Sequence, residues 1–346
     1  MDGAYVAGIG GANVDIHGQS LASLIMRDSN PGRLHVSVGG VTRNILDNLT
    51  RLGQRCELVS AVGGDVYGRM LLDSCAALGV GTRGLLVRED HPSSSYISIM
   101  DSEGDMLVAM SDMRVLSAID ADFVAARMDL LNAAPVVVCD GNLPAEALEY
   151  LAKHCTAPLY IDPVSTTWAK KLVPVLGHFD TIKPNRLEME VLAGMSIATD
   201  ADLEEACTRV LATGVRRVFV SLGADGIYYK GPAGSVHRRS RVFDKLVNAT
   251  GAGDATMAGI VHATLAGKSE DEVLDFALGA GLVAIAAPDT ISEEMSEQAV
   301  YTMIKEYVHE PEELSGHRTR SQIRRGGGQT GGRAGEHHSL PRHALS

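Results

Sequence analysis

Pro135-Val-Val-Val-Cys-Asp140, an apolar run closed by a carboxylate, precedes a helix-forming segment at Ala145–His154 and a second such run, Leu159-Tyr-Ile-Asp162. A strand, a helix and another strand in that order build a parallel pair, because parallel neighbours need a crossover connection. The unit repeats toward the C-terminus. Strands are expected at Val136–Asp140, Leu159–Asp162, Thr181–Pro184 and Val218–Leu222, and helices near Ala145–His154, Thr166–Leu176, Leu187–Ala193 and Leu203–Thr213. The chain therefore reads as α/β, with a mainly parallel central sheet flanked by helices. In such sheets the site lies at the strands' C-terminal ends, where Asp140, Asn142, Asp162, Lys183 and Asn185 stand.

Upstream, Tyr5–Gly10 reads as a buried strand stopped by Gly10-Gly11. Gly8-Ile-Gly10-Gly11-Ala-Asn13 comes close to the dinucleotide fingerprint, but Asn13 replaces its third glycine and Val14–Gly18 opens a helix poorly, which excludes a nicotinamide site. Asn13 and Asp15 are instead candidates for bonding the vicinal hydroxyls of a sugar, since a carboxylate accepts two such bonds; an ordinary Asx turn is the plain alternative. Asp28-Ser-Asn-Pro-Gly32 is a turn, and Leu34–Val38 alternates like a half-wet strand. Gly39-Gly40 then leads into a helix over Val41–Leu52, whose polar residues are Arg43, Asn44 and Asn48. Paired glycines there let a ligand approach the backbone closely. Glu57–Val62 reads as another core strand and Tyr67–Leu78 as a helix ending at Gly79. Ser95–Met100 and Met106–Met110, joined by a turn at Ser102-Glu-Gly104-Asp, form a hairpin. An antiparallel pair inside an alternating chain implies a small sheet apart from the main one, a lid.

Near the C-terminus, Val247-Asn-Ala-Thr-Gly-Ala-Gly-Asp254 runs into small helix formers. Gly251, Ala252 and Gly253 read as a tight turn opening a helix, whose unpaired N–H groups and dipole make an anion cradle. Asp254 at its lip is suited to taking a proton from an attacking hydroxyl, a combination that points to phosphoryl transfer. The plain alternative is a glycine turn with an Asp in the first helical turn.

Composition narrows the class. With 45% hydrophobic and 21% charged residues and 37 glycines, the 346-residue chain suits a globular α/β enzyme. Its net charge of −12 excludes a nucleic-acid backbone as the main partner. Ser315–Ser346 carries six Arg and one Glu, a balance of +5 that leaves −17 for the body, and its composition marks 311–346 as a disordered Gly/Arg-rich tail. Cys56, Cys75, Cys139, Cys155 and Cys207 show no C-x-x-C pair and fit a reducing compartment. No signal peptide or membrane-spanning run is evident, so the expected location is the cytoplasm without membrane contact. No histidine spacing matches a zinc site.

Gly39-Gly40 and Gly251-Ala-Gly-Asp254, separated by an α/β body, resemble the ribokinase-like (PfkB) family of carbohydrate and nucleoside kinases from about Ala4 to about Val308. Asp28-Ser-Asn-Pro-Gly, Asn48-Leu-Thr-Arg-Leu-Gly, Ser94-Ser-Tyr, Met106–Met113, Asp162-Pro-Val-Ser and Lys183-Pro-Asn-Arg-Leu-Glu188 narrow the likeness to its pseudouridine-phosphorylating branch. The resemblance implies a three-layer sandwich over 1–310 with lid strands near 13–18, 33–38, 95–100 and 106–110. It implies ATP and Mg²⁺ as cofactors, a small-molecule nucleoside as partner, and a homodimer through the lid sheet. Asp254 would deprotonate the 5′-hydroxyl over the Gly251–Gly253 cradle. Asn185 and Glu188 would organise Mg²⁺ through water, Ser221, Gly223 and Gly226 would line the triphosphate, and Ala280 would wall the adenine. Asn13, Asp15, Gly40, Arg43, Asn44 and Asn142 would hold the acceptor's sugar, with Ser29, Asn30, Asp112 and Lys183 around its base. Leu46, Ala249 and Asn248 depart from the family's usual residues, and Asn248 speaks against the monovalent cation the family also implies.

Overall fold

The computed structural model describes residues 4–308, and the tail expected at 311–346 lies outside the described residues. Its strands are β1 Val6–Ile9, β2 Asn13–Ser20, β3 Gly32–Gly39, β4 Cys56–Val59, β5 Ala61–Gly63, β6 Leu86–Arg88, β7 Ser95–Met100 and β8 Met106–Asp112. These are followed by β9 Val137–Asp140, β10 Leu159–Asp162, β11 Thr181–Ile182, β12 Arg217–Ser221, β13 Ile227–Gly231 and β14 Gly234–Arg238. The helices begin with α1 Val41–Arg51, α2 Val66–Leu78, α3 Ala121–Ala125, α4 Met128–Asn132 and α5 Ala145–His154. They continue as α6 Thr166–Ala169, α7 Arg186–Ala193, α8 Asp200–Ala212, α9 Ala252–Leu265, α10 Glu270–Ile285 and α11 Glu297–Met303.

Eight strands form the central sheet in the order β14-β13-β12-β11-β10-β9-β1-β4. Pairing is parallel from β12 to β4, and the β12–β13–β14 edge is antiparallel. Alternation along the strands splits the core in two: Val137 and Cys139 pack with Leu148, Leu151 and Met189, whereas Val136 and Val138 pack with Leu46, Met257 and Ala277. The sheet is thus the middle of three layers, with α5 and α7 on one side and α1, α9 and α10 on the other.

Two expectations for the body need correction, and one element was missed. The run Glu57–Val62 is two strands, because Ser60 turns inward and donates to the Gly10 carbonyl at 2.6 Å, and β5 beyond it pairs with β6 in a separate sheet. The helix read over Thr166–Leu176 ends at Ala169 and continues as 3₁₀ turns through His178, where Pro174 supplies no N–H for an α-helical bond. The hairpin β13–β14 was not legible in the periodicity.

The small sheet has the order β3-β2-β7-β8 and contains all four strands expected of it. Register fixes its two faces, because directly paired residues share a face. One face carries His35, His17, Ser98 and Ala109 in one row, with Ser37, Asp15, Tyr96 and Ser111 in the next. The other carries Val36, Ile16, Ile97 and Met110. Val14 anchors this second face in the core, while Leu34, Val36, Ile97, Val108 and Met110 remain exposed.

Candidate active site

The turn before α9 places Gly251 at the N-cap with a left-handed φ of 82°, a conformation costly to residues with a Cβ. A side chain there would also strike the Thr290 carbonyl. Gly253, one residue inside the helix, has open space except toward Lys183, whose Nζ would lie 3.3 Å from an added Cβ. The helix N-terminus and the lysine therefore face one small volume. Buried Lys183 is held by Asp162 at 3.0 Å. Burial works against its charge, yet the carboxylates of Asp162, Glu188 and Asp254 together outweigh it and leave the amine's pKa above its ordinary value.

Asp254 is buried in the first turn of α9 and accepts a hydrogen bond from Asn44 Nδ2 at 2.9 Å. Asn44 rides on α1, so this bond joins residues 210 positions apart. Burial lifts the Asp254 carboxyl to a pKa of about 8; Asp162 and Asp140 add to the rise, and Asn44 and Lys183 oppose it. A carboxylate poised near neutrality beside a hydrogen-bond orienter has the properties of a general base.

The geometry that holds α1 in place was not legible as a motif. Asp140 Oδ2, at the end of β9, accepts from the backbone N–H groups of Gly11 and Thr42 and from the Thr42 hydroxyl at 2.7–3.0 Å. It thereby ties β1, β9 and the start of α1 together. Asp162 is divided in the same way: Oδ1 accepts from the Val164 N–H at 2.8 Å while Oδ2 pairs with Lys183. Val164 takes a left-handed φ of 70° to allow this, an outlier for a β-branched residue.

Several expected site residues come together. Asn13 and Asp15 are hydrogen-bonded side by side at 2.5 Å on the small sheet, and a Cβ on Gly39 would collide with the Asp15 carboxylate. Gly40, with φ 101°, leaves room for the backbone of Gly11 and Ala12. The two glycines thus serve the chain's own close packing as much as any ligand. Asn185 and Glu188 form a reciprocal cap on α7: Glu188 N–H donates to Asn185 Oδ1, and the Glu188 carboxylate accepts from Asn185 N–H and Nδ2 at 2.8–2.9 Å. Burial, then Asp162, raise the Glu188 pKa. Asn185 is bridged to Ser221, and Gly223 and Gly226 adopt left-handed φ just beyond.

Other expectations are displaced. Lys183 faces the cradle, not a base. Asp112 pairs with Ser95 and shares the face of Met110 and Ile97, opposite Asp15, and Arg114 holds its carboxyl down at about 2. Asn30 spends its side chain bracing its own loop, accepting from Ile25 N–H and donating to the Ile25 and Asp28 carbonyls. Ser29 is exposed beside it. Arg43 is buried and committed to Asp47, Ser74 and Asn44, so it supports Asn44 from behind. Asn142 donates its backbone N–H to Asp140 Oδ1 at 2.8 Å. Ala280 is fully buried where α10 crosses α9 at Gly259, which removes it from any adenine wall. Asn248 donates to the Pro288 carbonyl at 3.0 Å and accepts from Thr250 N–H at 2.9 Å.

Among the described residues, no group of three or more His, Cys, Asp or Glu side chains is placed to ligate a metal directly. Asp162, Glu188 and Asp254 nevertheless all act on the one amine of Lys183, an excess of acidic groups that fits a cation which keeps most of its waters. No described helix is long and apolar enough to cross a membrane.

Comparison with known proteins identifies the family and the fold. The profile of the family described as pfkB family carbohydrate kinase matches residues 4–297. The pseudouridine kinase of Escherichia coli K12 is 36% identical over 302 residues, which are 87% of this chain and 96% of that one. A carbohydrate kinase from Agrobacterium tumefaciens superposes with a TM-score of 0.79 at 24% identity, over 88% of this chain and 98% of that one. Arabidopsis thaliana ribokinase, solved with ribose and ATP, gives a TM-score of 0.74 at 19% identity, over 87% of this chain and 99% of that one. The central sheet and the separate small sheet are the ribokinase-like architecture.

Proposed function

This chain belongs to the pfkB family of carbohydrate kinases, and from that premise we propose that it transfers the terminal phosphoryl of ATP to the 5′-hydroxyl of pseudouridine. The observation that carries the proposal is the convergence of Asn44, Asp254, Lys183 and the N-terminus of α9. Asp254 takes the hydroxyl proton, Asn44 aims its carboxylate, and the helix N–H groups with Lys183 stabilise charge on the transferring phosphoryl. Asn13 and Asp15 hold the ribose diol. The 36% identity to a pseudouridine kinase supports the choice of acceptor.

Asn185 and Glu188 would hold Mg²⁺ through its waters, where the ion offsets phosphate charge; Ser221, Gly223 and Gly226 would follow the triphosphate. Glu188→Gln is expected to raise the Mg²⁺ concentration for half-maximal rate, because one carboxylate charge beside the ion is lost while glutamine can still serve in the α7 capping box. An unchanged Mg²⁺ titration would leave Glu188 with the cap alone. No monovalent cation enters the proposal, since Asn248 already links the two segments it touches. The exposed apolar face of the small sheet supports a homodimer, which sedimentation as a monomer would rule out. Five unpaired cysteines support a reducing, cytoplasmic setting.

ADP release assayed over pseudouridine, uridine, adenosine, ribose and other pentoses tests the reaction. Pseudouridine should give the highest kcat/KM. Preference for adenosine or ribose would replace the acceptor and keep the kinase; ADP release with none of them would remove both.

A further inference from the structure

With Asn30 and Asp112 turned away from the acceptor, the base of the proposed nucleoside needs another polar contact. The face of the small sheet that carries Asp15 supplies one. His17 lies on the same strand and the same face, two residues further out, and two residues of strand advance about 7 Å. That step is comparable to the distance from a ribose diol to the base it carries. If Asp15 holds the diol, His17 stands at the base.

The ring is fixed in place. His17 Nδ1 is 2.6 Å from the hydroxyl of Ser98, which is only 1% exposed, and the edge of the ring meets Tyr96 with centroids 6.4 Å apart. Among the described residues, His17 Nε2 has no hydrogen-bond partner, although the residue is half-buried. When Nδ1–H donates to the Ser98 oxygen, Nε2 is left as an acceptor. A uracil joined to ribose through carbon keeps a second ring N–H that a uracil joined through nitrogen lacks, and an acceptor here distinguishes the two.

We infer that His17 is a specificity-determining residue whose Nε2 accepts a hydrogen bond from the base, and that Ser98 is its positioning residue. The inference rests on the nucleoside reading above. Sites built to bond a substrate group reject analogues lacking it far more strongly than sites that only fill space.

The test assays the wild-type protein, His17→Leu, His17→Gln and Ser98→Ala with pseudouridine, uridine and ribose at saturating ATP and Mg²⁺. His17→Leu should narrow the pseudouridine-over-uridine ratio of kcat/KM by at least about tenfold through a loss on pseudouridine. Turnover of ribose, which has no base, should stay within about twofold, because the catalytic end is untouched. His17→Gln, which keeps a side-chain oxygen, should fall between, and Ser98→Ala should narrow the ratio while lowering ribose turnover no further. An unchanged ratio in His17→Leu and His17→Gln, or ribose turnover falling in step with pseudouridine in both, overturns the assignment and leaves the kinase reading intact. Wild-type turnover of ribose and of neither nucleoside overturns the nucleoside reading itself.

Discussion

Asp254→Asn is expected to lower kcat by on the order of 100- to 10,000-fold, the usual cost of losing a general base, while making the protein more stable. The amide can still accept from Asn44 Nδ2, which now meets Asp254 Oδ2 at 2.9 Å, so shape and orientation survive. What disappears is a group able to take the proton. Stability moves the other way because the carboxyl is buried and its pKa is lifted from 3.8 to about 8. Between those values the folded protein holds a proton that the unfolded chain has released, so this group's contribution is complete below about pH 4 and is lost as pH rises through about 8. The asparagine has no such dependence. The gap in thermal midpoint between variant and parent should therefore widen from pH 4 to 8 and then level off. The acid limb that Asp254 gives the parent's kcat/KM profile should be missing from the residual activity of the variant. A fall of less than about tenfold in kcat would remove Asp254 from the mechanism, and a midpoint gap independent of pH would remove the buried-proton argument.

The second large effect separates two glycines that look equivalent in the sequence. Gly251→Ala places a Cβ on a left-handed residue and against the Thr290 carbonyl. The strain is about 1–2 kcal/mol before the collision is counted. Both stability and activity should fall, the activity by about 100-fold or more, as expected when N–H donors leave a developing charge. Gly253→Ala lies within helical backbone and meets only the Lys183 amine, at 3.3 Å. Its thermal midpoint should hold or rise slightly, since alanine favours a helix over glycine by about 1 kcal/mol. Its turnover should nonetheless drop sharply, because the methyl group enters the space between lysine and cradle. Equal midpoint losses in the two variants would mean that Gly253 has a packing role and does not mark the phosphoryl position.

Much of this protein was determined by local sequence. Apolar runs of four to six residues separated by helical segments specify a parallel sheet whatever the tertiary details, and Gly251-Ala-Gly-Asp254 carries its own geometry through the φ that only glycine adopts cheaply. Asn13 and Asp15 were legible as a local pair of polar groups, two residues apart; Asn185 and Glu188 were singled out through the family likeness, and that they cap α7 emerged only from the structure. Only tertiary structure decided the rest. Asn44 reaches Asp254 across 210 residues and Thr42 reaches Asp140 across 98, and no periodicity records such meetings. Lys183 was readable as a strand-end lysine, but its direction came from Asp162 on the neighbouring strand. Asp112 shows the same limit in a β-sheet: side chains alternate faces, so its side was fixed by a register set through β7 and β2, and it fell opposite Asp15 while Ser111 and His17 fell beside it. Residue types and local turns establish which groups are available for chemistry; pairing register and the crossing of α1 with α9 establish which of them meet.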